Sequence, residues 1–287
     1  MIIAVASGKG GTGKTTLALG LASVMLGEVQ ILDCDVEAPN CHLFLNASME
    51  SSEQVAIPVP VVDKDLCNGC GECERACRFR AIAVINKKPL VFPELCHGCG
   101  ACQYVCPWRA IKESPRPIGI VESGSSGDIR LVTGRLTIGE PMAPPVIRAV
   151  KRHAADVMRT IIDCPPGTSC PMVTAVRGSD MAVLVTEPTP FGLNDLALAV
   201  ETVRALAIPF GVAINRAGIG DDRVADYCRA ERIPILAEIP DDRRVAETIA
   251  RGGSPVENVP GMRARVEKLY QEMVYVLHEQ RRIYADL

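Results

Sequence analysis

The sequence predicts an α/β fold, a mostly parallel sheet with helices on both faces, interrupted by a small inserted α+β module. Three observations predict it. Short apolar runs recur at 2–7, 29–33, 159–163, 181–186, 209–215 and 234–239, with helical patterns between most of them. Buried strands alternating with helices imply a sheet covered on both sides. The first run leads at once into a glycine-rich loop, GKGGTGKTT at 8–16. The rhythm then stops between 62 and 113, where a cysteine-rich segment repeats itself at an offset of 29 residues. The expected organisation is one α/β domain built from 1–61 and 114–287, with 62–113 inserted into it.

Composition narrows the class. The chain has 287 residues, 48% of them hydrophobic, with five Phe, five Tyr and one Trp, so an ample core must be mainly aliphatic. A formal charge of −3 offers no basic excess for nucleic-acid binding. The start, MIIAVASGKGG, lacks a basic leader region and reads as a first strand, and no run approaches a membrane span. Thirteen cysteines without a secretion signal argue for a reducing cytoplasm and for metal or redox duty. A cytoplasmic protein is expected, with no nucleic-acid partner and no membrane association.

Taken in order, the first strand IIAVAS feeds the loop at 8–16, which fits the phosphate-binding pattern G-x-x-x-x-G-K-[ST] with Gly8, Gly13, Lys14 and Thr15 at the fixed positions. A helical pattern follows over Lys14–Leu26. Backbone amides of Gly10, Gly11, Thr12, Gly13, Lys14 and Thr15 are placed to cradle a β-phosphate at that helix's N-terminus, with Gly8 and Thr16 at the ends of the cradle. Lys14 reaches the phosphates and the Thr15 hydroxyl coordinates Mg²⁺. Lys9 is a second lysine that the pattern does not require. The second strand, VQILD, ends in Asp33 and runs into DCDVEAPN; RTIID ends in Asp163 and runs into CPPGTSC. Helices are expected over Pro144–Ala155, Gly192–Ala207, Asp221–Glu231 and Asp241–Arg251. The segment 262–284 carries a helical stripe of Val266, Leu269, Tyr270, Met273, Val276 and Leu277, read as core-packing in preference to a membrane-surface face.

Within the insert, CNGCGECERACRFRAIAV (67–84) is echoed by CHGCGACQYVCPWRAIKE (96–113), each C-x2-C-x2-C-x3-C with a short strand-like tail. Prolines 58, 60, 115 and 117 flank the segment as two short linkers. The doubled spacing resembles bacterial-type ferredoxins that hold two [4Fe–4S] clusters. In that arrangement the fourth cysteine of each loop ligates the other loop's cluster. The resemblance implies Cys67, Cys70, Cys73 and Cys106 for one cluster, and Cys77, Cys96, Cys99 and Cys102 for the other. Structural zinc on CxxC pairs is the competing reading, disfavoured by all-cysteine quartets duplicated in one register. His97 reads as a loop residue. Cys106 precedes the expected Pro107, whereas Cys77 precedes Arg78, so a different exit is expected for the first loop.

With Lys9 added, the glycine loop resembles the deviant Walker A of the MinD/ParA/nitrogenase-iron-protein group of ATPases. That resemblance implies a dimer in which Lys9 reaches the partner's ATP and stabilises phosphoryl transfer. It makes Asp35 the residue that orients the attacking water and Asp33 structural. Asp163 holds Mg²⁺ through water, Gly167 senses the γ-phosphate, and Asn215, ending PFGVAIN, reads adenine. EIPDDRRVAE (238–247) resembles the last nucleotide-proximal loop, with a plain strand–helix turn as the alternative. Together with DCPPGTSCP and VTEPTPFGLNDL (185–196), nearly the whole chain resembles MinD-superfamily ATPases with an inserted ferredoxin domain. The expectation is an ATP-hydrolysing protein, a homodimer or a heterodimer with a related ATPase, in which nucleotide-driven rearrangement is coupled to electron transfer toward an unidentified redox or iron–sulfur partner. An iron–sulfur carrier or assembly ATPase, and a positioning ATPase with structural or sensing clusters, are the alternatives. The chain lacks the C-terminal cysteine pair of cluster-scaffold ATPases. Cys164 and Cys170 are expected to be buried or inert thiols like Cys34, Cys41 and Cys228, although a labile cluster shared between subunits would use them.

Overall fold

The computed structural model describes residues 1–154 and 159–285. In chain order the first elements are β1 (Ile2–Ala6), α1 (Lys14–Val24), β2 (Val29–Asp33), α2 (Cys41–Leu45) and β3 (Ser48–Val62). The cysteine-rich segment holds α3 (Glu72–Ala76), β4 (Ile82–Ile85), β5 (Lys88–Val91) and α4 (Ala101–Tyr104). Then come β6 (Ile111–Ser126), β7 (Ile129–Leu136), α5 (Pro144–Lys151), β8 (Arg159–Asp163), α6 (Cys170–Val176) and β9 (Met181–Thr186). The chain finishes with α7 (Pro190–Ala205), β10 (Phe210–Ala217), α8 (Arg223–Ala230), β11 (Ile235–Pro240), α9 (Arg243–Ala250), α10 (Pro255–Asn258) and α11 (Met262–Ala285).

The main sheet runs β11-β10-β9-β1-β8-β2-β7-β6-β3, and only β6 opposes the common direction. Alternation along each strand sends side chains to opposite faces. Ile3 and Val5 of β1 join α1 and α11 on one face, while Ala4 and Ala6 join α5, α6 and α7 on the other. The stripe of α11 is buried there through Val266, Leu269, Met273, Val276 and Leu277, as the core-packing reading requires. No helix among the described residues is long and apolar enough to cross a membrane. The expected helix 144–155 is observed over Pro144–Lys151, and position 155 lies outside the described residues. Helix α7 starts earlier than expected because the Thr189 side chain accepts the Gly192 N–H at 3.0 Å and Pro190 sets the first turn.

The flanks of the cysteine segment correct the sequence reading. They are not short linkers. β3 and β6 pair antiparallel over 15 and 16 residues and extend the main sheet outward as a two-stranded stalk. Pro58 sits opposite Pro115, with Pro60 (opposite Glu113) and Pro117 (opposite Ala56) each two residues away on either side of that pair. All four therefore occupy non-hydrogen-bonded pairing positions, where a missing N–H removes no ladder bond. β7 covers only Gly119–Ser126 of β6, so the proline-bearing half of the stalk has two open edges. Arg116 anchors the stalk to the body through Glu140, at 2.6 Å and 3.1 Å, and Thr137 N–H donates to the Ile118 carbonyl at 2.9 Å. α5 packs on β3, β6 and β7 and also on α6. Lys151 joins the two helices by donating to the carbonyls of Thr174, Ala175 and Arg177.

Candidate functional site

Two glycines of the loop between β1 and α1 leave no room for a side chain. Gly13 has φ +93°, and a Cβ there would stand 2.4 Å from Asn215 Nδ2; a Cβ on Gly8 would stand 2.1 Å from the Asp195 carbonyl. Asn215, at the end of β10, donates from Nδ2 to the Thr12 carbonyl at 2.8 Å, tying the loop to the far side of the sheet. Lys14 opens α1 and is 6% exposed. Thr15 donates to Asp163 Oδ2 at 2.6 Å, which leaves Asp163 Oδ1 buried without a partner, as is Thr12 Oγ1. Unpaired buried oxygens beside a buried cation are costly in isolation and suit a site that is completed by a ligand.

The carboxylates divide as their surroundings dictate. Asp33 and Asp163 are register partners at the ends of β2 and β8, both fully buried. Asp33 accepts N–H groups from Asn40 and Cys41 at 3.1 Å each and from Asp35 at 3.3 Å, so it organises the loop after β2. Burial, and then the Asp163 charge, push its pKa up. Burial likewise raises Asp163, opposed by the Thr15 hydroxyl and by Lys14. Asp35 is half-buried, raised by desolvation and drawn back by Lys14. Gly167 lies in the loop after β8 with φ +94°, and its N–H donates to the Ser7 carbonyl at 3.0 Å.

Beside the loop opens a cleft lined by Gly13, Thr16, Asn215, Arg216 and the turn Ile239–Asp242. The structure thus gathers the loop, Asn215 and the segment EIPDDRRVAE around one cavity. Lys9 does not extend into solvent: its Nζ lies 2.8 Å from Glu187 Oε2. The sequence reading gave Glu187 no role, and VTEPTPFGLNDL was the one signal pointing at it.

The cysteine segment forms two cavities. One is lined by Cys67, Cys70, Cys73 and Cys106, with Trp108; the other by Cys77, Cys96, Cys99 and Cys102, with Phe79. In both, the fourth cysteine comes from the other loop. None of the thirteen cysteines is joined in a disulfide. Backbone N–H groups donate to sulfur: Ala81 to Cys77 at 3.3 Å, Ala110 to Cys106 at 3.4 Å and Gly98 to Cys96 at 3.4 Å. Arg80 and Arg109 both take left-handed φ, +54° and +48°. The two loops therefore leave by the same turn, and the different exit expected from Arg78 is not found. His97 stacks on Phe79 at 3.8 Å, in keeping with a loop role. A tetrahedral zinc with bonds of ≈ 2.3 Å holds its sulfurs roughly 3.8 Å apart. Among the described residues, the group of three ligand atoms within 4.8 Å of one another is Asp33, Cys41 and Asp163, and no cysteine quartet is so tight. The quartets fit a group larger than a single ion. Cys34, Cys41, Cys164 and Cys228 are buried as expected, whereas Cys170, at the first turn of α6, is exposed.

A glycine loop between strand and helix, a threonine–aspartate pair and an adjoining cleft define a nucleotide-binding α/β protein. The chain belongs to the CobQ/CobB/MinD/ParA nucleotide-binding family, whose model matches residues 3–256. It is 36% identical over 225 residues to an uncharacterized protein of Methanocaldococcus jannaschii, covering 77% of this chain and 80% of that one. It is 25% identical to an iron–sulfur cluster carrier protein of Pyrococcus horikoshii, over 96% of this chain and 86% of the relative. The fold is similar to that of the septum site-determining protein MinD of Pyrococcus horikoshii complexed with Mg-ADP, with TM-score 0.58, 20% identity and 94% of each chain covered.

Proposed function

We propose that this chain is an ATP-hydrolysing iron–sulfur protein in which nucleotide-driven rearrangement of a dimer is coupled to electron transfer through two [4Fe–4S] clusters. One observation carries the iron–sulfur half: Cys77 and Cys106 each cross to the cavity built by the other loop. When bound, the clusters supply one-electron chemistry at potentials tuned by hydrogen bonds to sulfur. The chain's own part is to present eight thiolates and the amides of Ala81, Gly98 and Ala110. In the nucleotide half, the amides of 10–15 and Lys14 bind the phosphates, Thr15 and Asp163 hold Mg²⁺, and Asp35 orients water. Gly167 would exchange its Ser7 bond for the γ-phosphate, and Asn215 keeps its carbonyl oxygen to accept from the adenine amino group. Lys9 acts in the partner's site, so Lys9→Ala should leave ATP binding intact and cut hydrolysis by about 10³ or more. α5, held to α6 by Lys151 and packed on the stalk, is the body that would transmit movement after Asp163 to the cysteines.

The test is an anaerobic redox titration with and without Mg·ATP. Allosteric couplings of about 1–3 kcal/mol correspond to a shift of roughly 40–130 mV for a one-electron couple. By reciprocity, ATP should bind the reduced and oxidised protein with affinities differing by the same free energy. Flat titrations with both clusters retained would remove the coupling. The likeness to proteins named iron–sulfur cluster carriers favours a second reading, cluster delivery. ATP-dependent loss of iron to an apo-ferredoxin, without a potential shift, would establish that reading instead.

A further inference from the structure

Glu187 directly follows β9, and two residues that border the nucleotide site converge on it. Lys9 Nζ stands 2.8 Å from Oε2, and the Arg216 guanidinium stands 2.8 Å from Oε1. The carboxylate side chain is 8% exposed, while Lys9 is 30% and Arg216 50% exposed. The anion is the buried member of the trio, and the two cations are its more exposed partners. Its backbone is fixed, because the Glu187 carbonyl accepts the Thr189 N–H at 2.8 Å and lies 2.2 Å from where a Cβ on Gly192 would stand. Arg216 is held on the other side by its neighbour Asn215, which is bonded to Thr12, and it lines the cleft itself.

We propose that Glu187 is a positioning residue that keeps Lys9 on its own chain, and that Arg216 is the counter-ion left behind when Lys9 departs. Rested on the reading of Lys9 as a residue that acts in the partner's site, this gives the lysine a defined resting place. A buried carboxylate stripped of every cation is strongly unfavourable, so Lys9 could not leave a lone Glu187 cheaply. With Arg216 still attached, release costs far less. The pair of cations thereby sets how readily two nucleotide-loaded chains exchange their lysines.

The two contacts predict substitutions of opposite sign. Glu187→Gln removes the charge that retains Lys9, and the protein concentration giving half-maximal dimer with Mg·ATPγS should fall at least fivefold. Arg216→Gln leaves Lys9 as the one counter-ion among the described residues, and that concentration should rise at least fivefold. Sedimentation at saturating nucleotide reads both, with nucleotide affinity measured separately and thermal unfolding recorded for each variant. A merely structural role would weaken dimerisation in both variants. Shifts of the same sign, or none, would overturn the proposal, even where Lys9→Ala is inactive. Lys9→Ala hydrolysing at the parent rate would instead overturn the reading of Lys9 on which it stands.

Discussion

The nucleotide site and the cysteine segment sit in one chain but are held together by different means. Around the glycine loop the protein supplies its own scaffold: Thr15 to Asp163, Asn215 to Thr12, Gly167 to Ser7, all inside a sheet with two apolar faces. Between 62 and 113, buried apolar side chains are few, chiefly Ala81, Ile82, Cys96, Ala110 and Ile111. Over the same stretch Leu66, Phe79, Ile85, Leu90, Phe92, Leu95, Tyr104 and Trp108 are substantially exposed. So small a core does not stabilise a segment of this length; small modules of this kind depend on metals or crosslinks. The body carries its own scaffold, whereas the cysteine segment has little core of its own and would depend on the clusters proposed for it.

The sharpest way to break that contrast is to withdraw the iron that the proposed clusters would supply. Chelation under reducing, anaerobic conditions should abolish amide-exchange protection across 67–110 while the body strands keep theirs. A segment that stayed protected without iron would show a sufficient core of its own. Next in size is Cys77→Ser. It should cost about half of the roughly eight irons that two [4Fe–4S] clusters supply. Alkylation should then reach Cys96, Cys99 and Cys102, and spare Cys67, Cys70 and Cys73. Labelling of the sequence-neighbouring trio would mean the fourth ligands do not cross.

On the body side, Lys14→Ala should weaken Mg·ATP binding by about 10–100-fold, the range for a charge-assisted contact of roughly 1.5–3 kcal/mol, while unfolding temperature changes little. An unfolding temperature that collapsed would make Lys14 a structural cation. The smallest effect concerns pH. Asp33 binds its proton more tightly folded than unfolded, with a pKa raised to about 7 from 3.8. The folded state then holds the extra proton, so this group erodes stability as pH climbs through that window. Without nucleotide, Asp33→Asn should gain stability relative to the parent between pH 5 and pH 8. A difference independent of pH would mean that Asp33 is charged in both states.

How much could be read in advance followed from burial. Strands such as MAVLVT are covered on both faces and show as unbroken apolar runs, so β1, β2, β8, β9, β10 and β11 were legible. β3 and β6 were not, because much of their length is exposed and four prolines lie in them. β7 was hidden by Gly134, where a Cβ would come within 2.7 Å of Val36 and Val150. The phosphate loop was legible because its chemistry is contiguous in sequence. The Lys9–Glu187–Arg216 cluster was not, since its members are brought together only by the order of strands in the sheet.

The long interruption of the sheet also dictates an order of events during synthesis. Ile2 of β1 pairs with Thr160 of β8, and Thr15 meets Asp163, so the first strand waits for most of the chain before the nucleotide site exists. The stalk closes sooner, with Val62 opposite Ile111, across a loop that ring-closure entropy penalises less. Chains fold unit by unit as they leave the ribosome. On the proposed function, the eight cysteines that would hold the clusters emerge, and their stalk can close, before Asp163 is available to complete the nucleotide site.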